Sequence, residues 1–140
     1  MPRLAQALVA HTWELIIVDD GSPDGTADLA ESYADKHPVR VVRRPGKAGL
    51  ASAVLAGFAQ GRGNVLVVMD ADLSHPPEAV PRLVSAIDDG ADLAVGSRYV
   101  TGGGTEDWPL KRRVVSRAAC LMGNLLVPIR DCTSGFFAIR

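Results

Sequence analysis

Two apolar runs that end in paired acids place the tightest limit on how this chain can fold. Glu14–Asp19 reads Glu-Leu-Ile-Ile-Val-Asp and is followed by Asp20. Asn64–Met69 reads Asn-Val-Leu-Val-Val-Met and is followed by Asp70 and then Asp72. Runs this short and this continuously apolar fit strands of a parallel sheet, and the second is expected to be buried on both faces. Helical patterns separate the strands. Thr26–Lys36 offers Ala27, Leu29, Ala30, Tyr33 and Ala34 for an inner face and is stopped by Pro38. Val39–Val42 is a further strand, and Leu50–Gln60 a helix of small residues. Pro77 sits where a helix begins over Glu78–Asp88, with Val80, Leu83, Val84 and Ile87 at helical spacing and Gly90 closing it. Asp92–Gly96 reads as a strand and Val100–Gly104 as a glycine-rich loop. Leu110–Leu126 is a longer helix with a basic first half, and Phe136–Ile139 a last short strand.

This alternation predicts an α/β domain over residues 1–140, a mostly parallel sheet with helices on both faces. In such sheets ligands bind beyond the carboxyl ends of the strands, where Asp19, Asp20, Asp70 and Asp72 fall. With 47% hydrophobic residues, 22% charged residues and a net charge of -1, the composition excludes a disordered chain. That balance also argues against a nucleic-acid partner, which calls for a basic surface. Cations do gather locally. Arg98, Lys111, Arg112, Arg113 and Arg117 stand against Glu106 and Asp107 alone, a pattern that suits an anionic ligand. Cys120 and Cys132 lack Cys-x-x-Cys spacing and a histidine placed for zinc, and read as buried thiols in a reducing compartment. Neither a signal peptide nor a membrane-spanning run is legible, so the expected setting is cytosolic, with contact to a membrane surface left open.

Four constellations carry candidate chemistry. Asp70 and Asp72 leave a strand where its alternation breaks, so both can turn toward one hard cation that neutralises a diphosphate. The alternative is that Asp72 or Ser74 caps the next helix while Asp70 is solvated. Asp19, Asp20 and Asp24 suit a pocket that reads hydrogen-bond donors on a base or ribose; the alternative is an Asp-rich turn, with Asp24 capping its helix. Pro45-Gly-Lys-Ala-Gly49 offers backbone N–H groups and Lys47 to an anion, or is a plain loop-to-helix junction. No Walker or dinucleotide-binding fingerprint is present. Gly96-Ser-Arg98 precedes a helix on which Arg112 and Ser116, four residues apart, share a face and could clamp a phosphate. The alternative is a solvated basic face. The apolar half of that helix, with Leu121, Leu125, Leu126 and Val127, is either core or a surface resting on a bilayer. His11 and His37 read as surface residues. His75 lies beside the acidic pair, as an outer partner or a solvated loop residue, and Trp108 stacks on a ligand or anchors its loop.

Five segments in order resemble the polyprenyl-phosphate (dolichyl-phosphate) mannose synthases of glycosyltransferase family 2, which have the GT-A fold. They are Val18-Asp-Asp-Gly-Ser-Pro-Asp-Gly-Thr26, Gly46-Lys-Ala-Gly-Leu50, Asp70-Ala-Asp-Leu-Ser-His-Pro-Pro-Glu78, Gly96-Ser-Arg-Tyr99 and Asp131-Cys-Thr-Ser-Gly-Phe136. The resemblance runs from about Trp13 to the last residue. It implies inverting transfer of mannose from GDP-mannose to a polyprenyl monophosphate at the cytosolic face of a membrane. Asp19, Asp20, Asp24, Lys47 and Asp70 are then donor-binding. Asp70 and Asp72 hold Mg²⁺ or Mn²⁺, and Arg98, Arg112 and Ser116 bind the acceptor phosphate. Asp72, Arg98 and Arg112 carry catalysis, and Asp131, Ser134 and Gly135 match a signature loop near the acceptor. Relatives often carry Gln where this chain has Ser74, a shorter and weaker ligand.

The chemistry agrees with the absence of an obvious general base in the sequence, because a phosphate oxygen is already anionic at neutral pH. The tasks left are positioning and charge neutralisation. The resemblance also implies that the first βα unit, ending in Pro-x-[Tyr/Phe]-Asn-Glu, is missing, and that Met1–Leu8 is the tail of the helix after it. The expectation is an N-terminally truncated domain. The rival readings are a UDP-glucose-dependent polyprenyl-phosphate glucosyltransferase and a non-catalytic fragment that binds a nucleotide-sugar.

Overall fold

The computed structural model describes residues 1–72, 74–98, 120–121, 129, 131 and 133–140. They form two compact units, Met1–Leu66 and Val67–Arg140. In the first, helix α1 (Pro2–Ala7) leads to strand β1 (Leu15–Asp19), helix α2 (Thr26–Glu31), strand β2 (Val39–Arg43) and helix α3 (Leu50–Phe58). β1 and β2 are parallel, with Leu15 beside Val39 and Asp19 beside Arg43. This is the βαβ unit that the apolar run and the amphipathic segment call for.

α2 buries Ala27 and Ala30, as its periodicity requires, but is shorter than the expected Thr26–Lys36. Past Glu31 the backbone tightens, and the N–H groups of Tyr33, Ala34 and Lys36 donate three residues back. Leu29, offered by the pattern for the inner face, is instead exposed. Small residues let α3 approach β1 closely: a Cβ added at Gly57 would stand 3.4 Å from Val18 Cγ2.

β3 (Leu66–Val68) lies where the two units meet in sequence. It is three residues long and only half-buried, where burial on both faces was expected. The reason is its place in the sheet. The order is β3-β5-β4, with β4 at Leu93–Val95 and β5 at Phe137–Ile139, so β3 is an edge strand among the described residues, and an edge is covered less than a centre.

The second unit continues with a 3₁₀ turn at Pro77–Ala79 and helix α4 (Val80–Asp88). Val80, Leu83 and Ile87 are buried at the expected spacing and Val84 is half-buried. Gly90 takes φ 108°, and the Gly90 and Ala91 N–H groups donate to the Ile87 and Ala86 carbonyls. That is a Schellman ending, for which the left-handed residue is best a glycine. β4 (Leu93–Val95) pairs antiparallel with β5 (Phe137–Ile139), so this sheet is not purely parallel. Ala138, with no exposed surface, lies at the centre of this pairing. Gly96 extends the pairing, its N–H donating to the Phe136 carbonyl at 2.8 Å. A Cβ at Gly96 would come within 2.3 Å of the Phe136 ring, so the glycine is what lets β4 end against that ring.

Candidate functional site

In the first unit the acids beyond β1 divide their work. Asp19 is buried, and its Oδ2 accepts the Gly21 and Ser22 N–H groups, both at 3.0 Å. The Ser22 hydroxyl and these N–H groups hold its carboxyl below the usual carboxylate range. This is the turn alternative: the side chain substitutes for backbone partners where the strand ends. Asp24 behaves likewise, its Oδ1 taking the Thr26 hydroxyl at 2.6 Å and the Thr26 N–H at 3.0 Å at the start of α2.

Asp20 is different. Its two oxygens receive Nε and Nη2 of Arg44 at 2.5 and 2.6 Å, a bidentate pair, while Arg44 Nη1 donates to Ser52 Oγ at 2.8 Å. The guanidinium is the main reason why the Asp20 carboxyl lies below its ordinary value. Arg44 therefore ties the end of β1 to the first turn of α3 and holds Asp20 in one orientation. The motif reading overlooked this arginine. A signal was present: in a parallel βαβ unit the residues at the ends of neighbouring strands lie side by side, and Asp19–Asp20 and Arg43–Arg44 occupy those positions. Lys47 is exposed in the loop that follows.

In the second unit Asp70 and Asp72 leave β3 with exposed side chains. Asp72 Oδ1 accepts the Ser74 N–H at 2.9 Å, and the Ser74 hydroxyl and N–H hold its carboxyl below the usual range. Ser74 thus shapes the turn of this acid. The Asp70 N–H donates to His75 Nδ1 at 3.1 Å, and the His75 ring stacks on Phe136 with centroids 5.0 Å apart. Gly135 borders the acid, since a Cβ there would stand 3.7 Å from Asp70 Oδ2.

Arg98 lies at the other side of the signature loop. Asp131 accepts from it three times, from the backbone N–H at 3.0 Å, Nε at 2.9 Å and Nη2 at 2.7 Å. The Asp131 side chain has no exposed surface. Burial alone pushes its carboxyl up, but the Arg98 side chain and backbone N–H outweigh this and hold it below its usual range. Thr133 Oγ1 accepts from Arg98 Nη2 at 2.8 Å, and Ser134 Oγ donates to the Gly96 carbonyl at 2.9 Å. Asp131, Thr133, Ser134, Gly135 and Phe136 thus bind Arg98, the end of β4 and the acidic turn to one loop. The sequence marked Asp131 as part of a motif, but the spacing of 33 residues left its partner Arg98 unread.

Among the described residues no three His, Cys, Asp or Glu side chains converge as a ready-made metal cage. Two exposed carboxylates still fit a hard cation of the Mg²⁺ or Mn²⁺ kind, which binds through one or two carboxylates and completes its shell with water and phosphate oxygens. Arg112, Arg113, Ser116, Arg117 and Trp108 lie outside the described residues. Of the two cysteines, Cys120 is buried, with Sγ 3.7 Å from Asp131 Oδ1, and Cys132 lies outside the described residues. His11 is exposed; His37 is half-buried, its ring 6.2 Å from that of Trp13.

Acids beyond the strand ends, a glycine against Asp70 and an arginine held by the neighbouring loop suit an anionic ligand, and the family that this chain matches has the GT-A fold. The chain belongs to glycosyl transferase family 2, whose model matches residues 2–140. It is 48% identical to the dolichol-phosphate mannosyltransferase of Pyrococcus furiosus, over 99% of this chain and 40% of that protein. It is 52% identical to the polyprenol monophosphomannose synthase of Mycolicibacterium smegmatis, over 90% of this chain and 50% of the relative. Identity to the dolichol-phosphate mannosyltransferase of Saccharomyces cerevisiae is 44%, over 94% of this chain and 50% of the yeast protein. The chain thus spans about half the length of these relatives, or less.

Proposed function

We propose that this chain carries the donor site of an inverting mannosyltransferase that moves mannose from GDP-mannose to a polyprenyl monophosphate. The observation that carries the reading is the acidic turn. Asp70 and Asp72 project beyond β3 beside a glycine whose missing side chain leaves Asp70 uncovered. The three relatives, mannosyl transfer enzymes of dolichol or polyprenol phosphate, suggest the sugar and the lipid class. Asp70 and Asp72 would hold Mg²⁺ or Mn²⁺, and such a cation supplies charge neutralisation at the donor's diphosphate.

The remaining work falls to the chain. Asp20, oriented by Arg44, uses its remaining lone pairs to accept N–H groups of the base, since a bidentate pair fills only part of a carboxylate's acceptor capacity. Asp19 and Asp24 set the turn beside it, and Lys47 offers a cation to the nucleotide. Arg98, its guanidinium plane fixed by Asp131, contacts phosphate together with Arg112 and Ser116. The acceptor phosphate oxygen attacks the anomeric carbon from the side opposite the diphosphate. The new C–O bond forms as the bond to the diphosphate breaks, and GDP leaves with the electron pair. A lipid acceptor calls for work at a membrane surface, and the proposed setting is its cytosolic face. Among the described residues no helix is long and apolar enough to cross a membrane.

Incubation with GDP-mannose, Mn²⁺ and a polyprenyl phosphate in detergent, followed by extraction of the lipid, tests the reading. Mannose in the lipid fraction is expected. Label transferred only from UDP-glucose would replace it with glucosyl transfer. The nucleotide side has its own check in Arg44→Lys, which keeps the charge but loses the fork on Asp20. GDP binding is expected to weaken about tenfold by calorimetry, the worth of one charge-assisted hydrogen bond. Unchanged affinity would remove Asp20 from the base pocket.

A further inference from the structure

His75 has no role in the proposed chemistry, yet its surroundings are specific. Its side chain is 14% exposed, whereas that of Asp70 is 49% exposed. One face of the ring lies against Phe136, tilted by only 11°, and Phe136 is itself buried. Nδ1 accepts the Asp70 N–H at 3.1 Å and stands 3.8 Å from Asp70 Oδ2. A nitrogen that accepts an N–H carries no proton, so this hydrogen bond requires the Nε2–H tautomer. Nδ1 is thus the side-chain acceptor for the peptide N–H of Asp70, two residues beyond the end of β3.

We infer that His75 is a positioning residue for the acidic pair: through Nδ1 it fixes the Asp70 peptide, and so the direction in which Asp70 and Asp72 leave the strand. The two ends of the turn are then secured independently, Asp72 by Ser74 and Asp70 by His75. Stacking on Phe136 fixes the imidazole and links the acidic turn to the loop that holds Arg98 through Asp131. An outer partner that orients a ligand in this way typically affects metal affinity by about 10- to 100-fold. The functional consequence rests on the proposed metal role of Asp70 and Asp72; the hydrogen bond itself does not.

Two readouts separate those layers. The first is the ¹⁵N signature of the His75 ring and the exchange protection of the Asp70 amide, measured without ligand. An unprotonated Nδ1 and a protected amide are expected. A proton on Nδ1, or an amide that exchanges as in an open loop, overturns the inference. The second is Mn²⁺ binding in the presence of GDP, followed by water relaxation, for His75→Asn, His75→Gln and His75→Ala.

Asn can place its amide oxygen where Nδ1 stands, while Gln reaches toward the position of Nε2. Asn is therefore expected to stay within about threefold of wild type, and Gln and Ala to weaken binding at least about tenfold with little change in melting temperature. Equal binding by all three overturns the positioning role, as does weakening that follows loss of stability in every variant. Should the wild-type chain bind no Mn²⁺, the metal reading of the acidic pair fails. The ring signature and the Asp70 amide, compared between His75→Asn and His75→Gln, then decide the inference alone: protection kept by Asn and lost in Gln upholds it, and protection lost or kept in both overturns it.

Discussion

Replacing Asp131 by Ala is expected to cost about 3 kcal/mol of stability, toward the lower end of what breaking a buried ion pair costs. The carboxylate is fully enclosed and takes three hydrogen bonds from Arg98 and one from the Thr133 hydroxyl at 3.2 Å. Without it, a guanidinium whose side chain is only 19% exposed keeps its charge and loses its carboxylate partner, while the Thr133 hydroxyl still accepts from Nη2. Asn fills the space but presents an amide N–H₂ toward that guanidinium, so it is expected to fail as well. A double change of Asp131 and Arg98 to apolar residues of similar size should recover much of the loss, because no uncompensated charge is then left behind.

The pH dependence of the Asp131 contribution has a definite sign. Folding lowers the carboxyl's pKa, so the stabilisation is fully present above the usual carboxylate value. It fades as pH falls below about 4 and through the still lower folded value. Urea denaturation from pH 7 down to pH 3 reads both effects. The gap between wild type and Asp131→Asn should narrow below about pH 4. A loss under about 1 kcal/mol with no such narrowing would mean that the pair is not what holds the loop.

Asp72→Asn separates the turn from the metal. Asn keeps the side-chain oxygen that accepts the Ser74 N–H, so the turn should persist. It lacks the negative charge that a hard cation requires. Mn²⁺ affinity in the presence of GDP is therefore expected to fall by more than about 100-fold, beyond what removal of an outer partner costs. Asp72→Ala should bind no better and should loosen the turn as well. The Ser74 hydroxyl and N–H hold the Asp72 carboxyl below its usual range, so protonation of Asp72 competes with the cation only at pH below that range. Electron paramagnetic resonance of free Mn²⁺ measures this directly. If Asn bound like wild type, Asp72 would be a turn residue only.

How far the sequence could be read depended on how local each signal was. The βαβ unit was legible because apolar runs and helical spacing are properties of neighbours, and β1, β2, α4 and β5 lie where those patterns put them. The half-buried β3 was not, because a strand's cover depends on its place in the sheet, and no residue of Asn64–Met69 encodes an edge. Asp70 and Asp72 could be marked by their spacing. The division of labour between Asp19 and Asp20 could not, since it turns on whether an oxygen meets a local N–H or an arginine 24 residues away. The pairing of Arg98 with Asp131 is another long-range choice, made by β4 and the loop before β5 approaching each other. The basic face of Arg112 and Ser116 lies outside the described residues.

Calorimetric titration of GDP-mannose into this chain, with Mn²⁺ and then with chelator, tests the proposed donor site most directly. The expected result is binding that requires Mn²⁺, exceeds that of UDP-glucose and disappears in Asp72→Asn. Binding that is equal in chelator, or that survives in the variant, would contradict the assignment of Asp70 and Asp72 as the metal-holding pair.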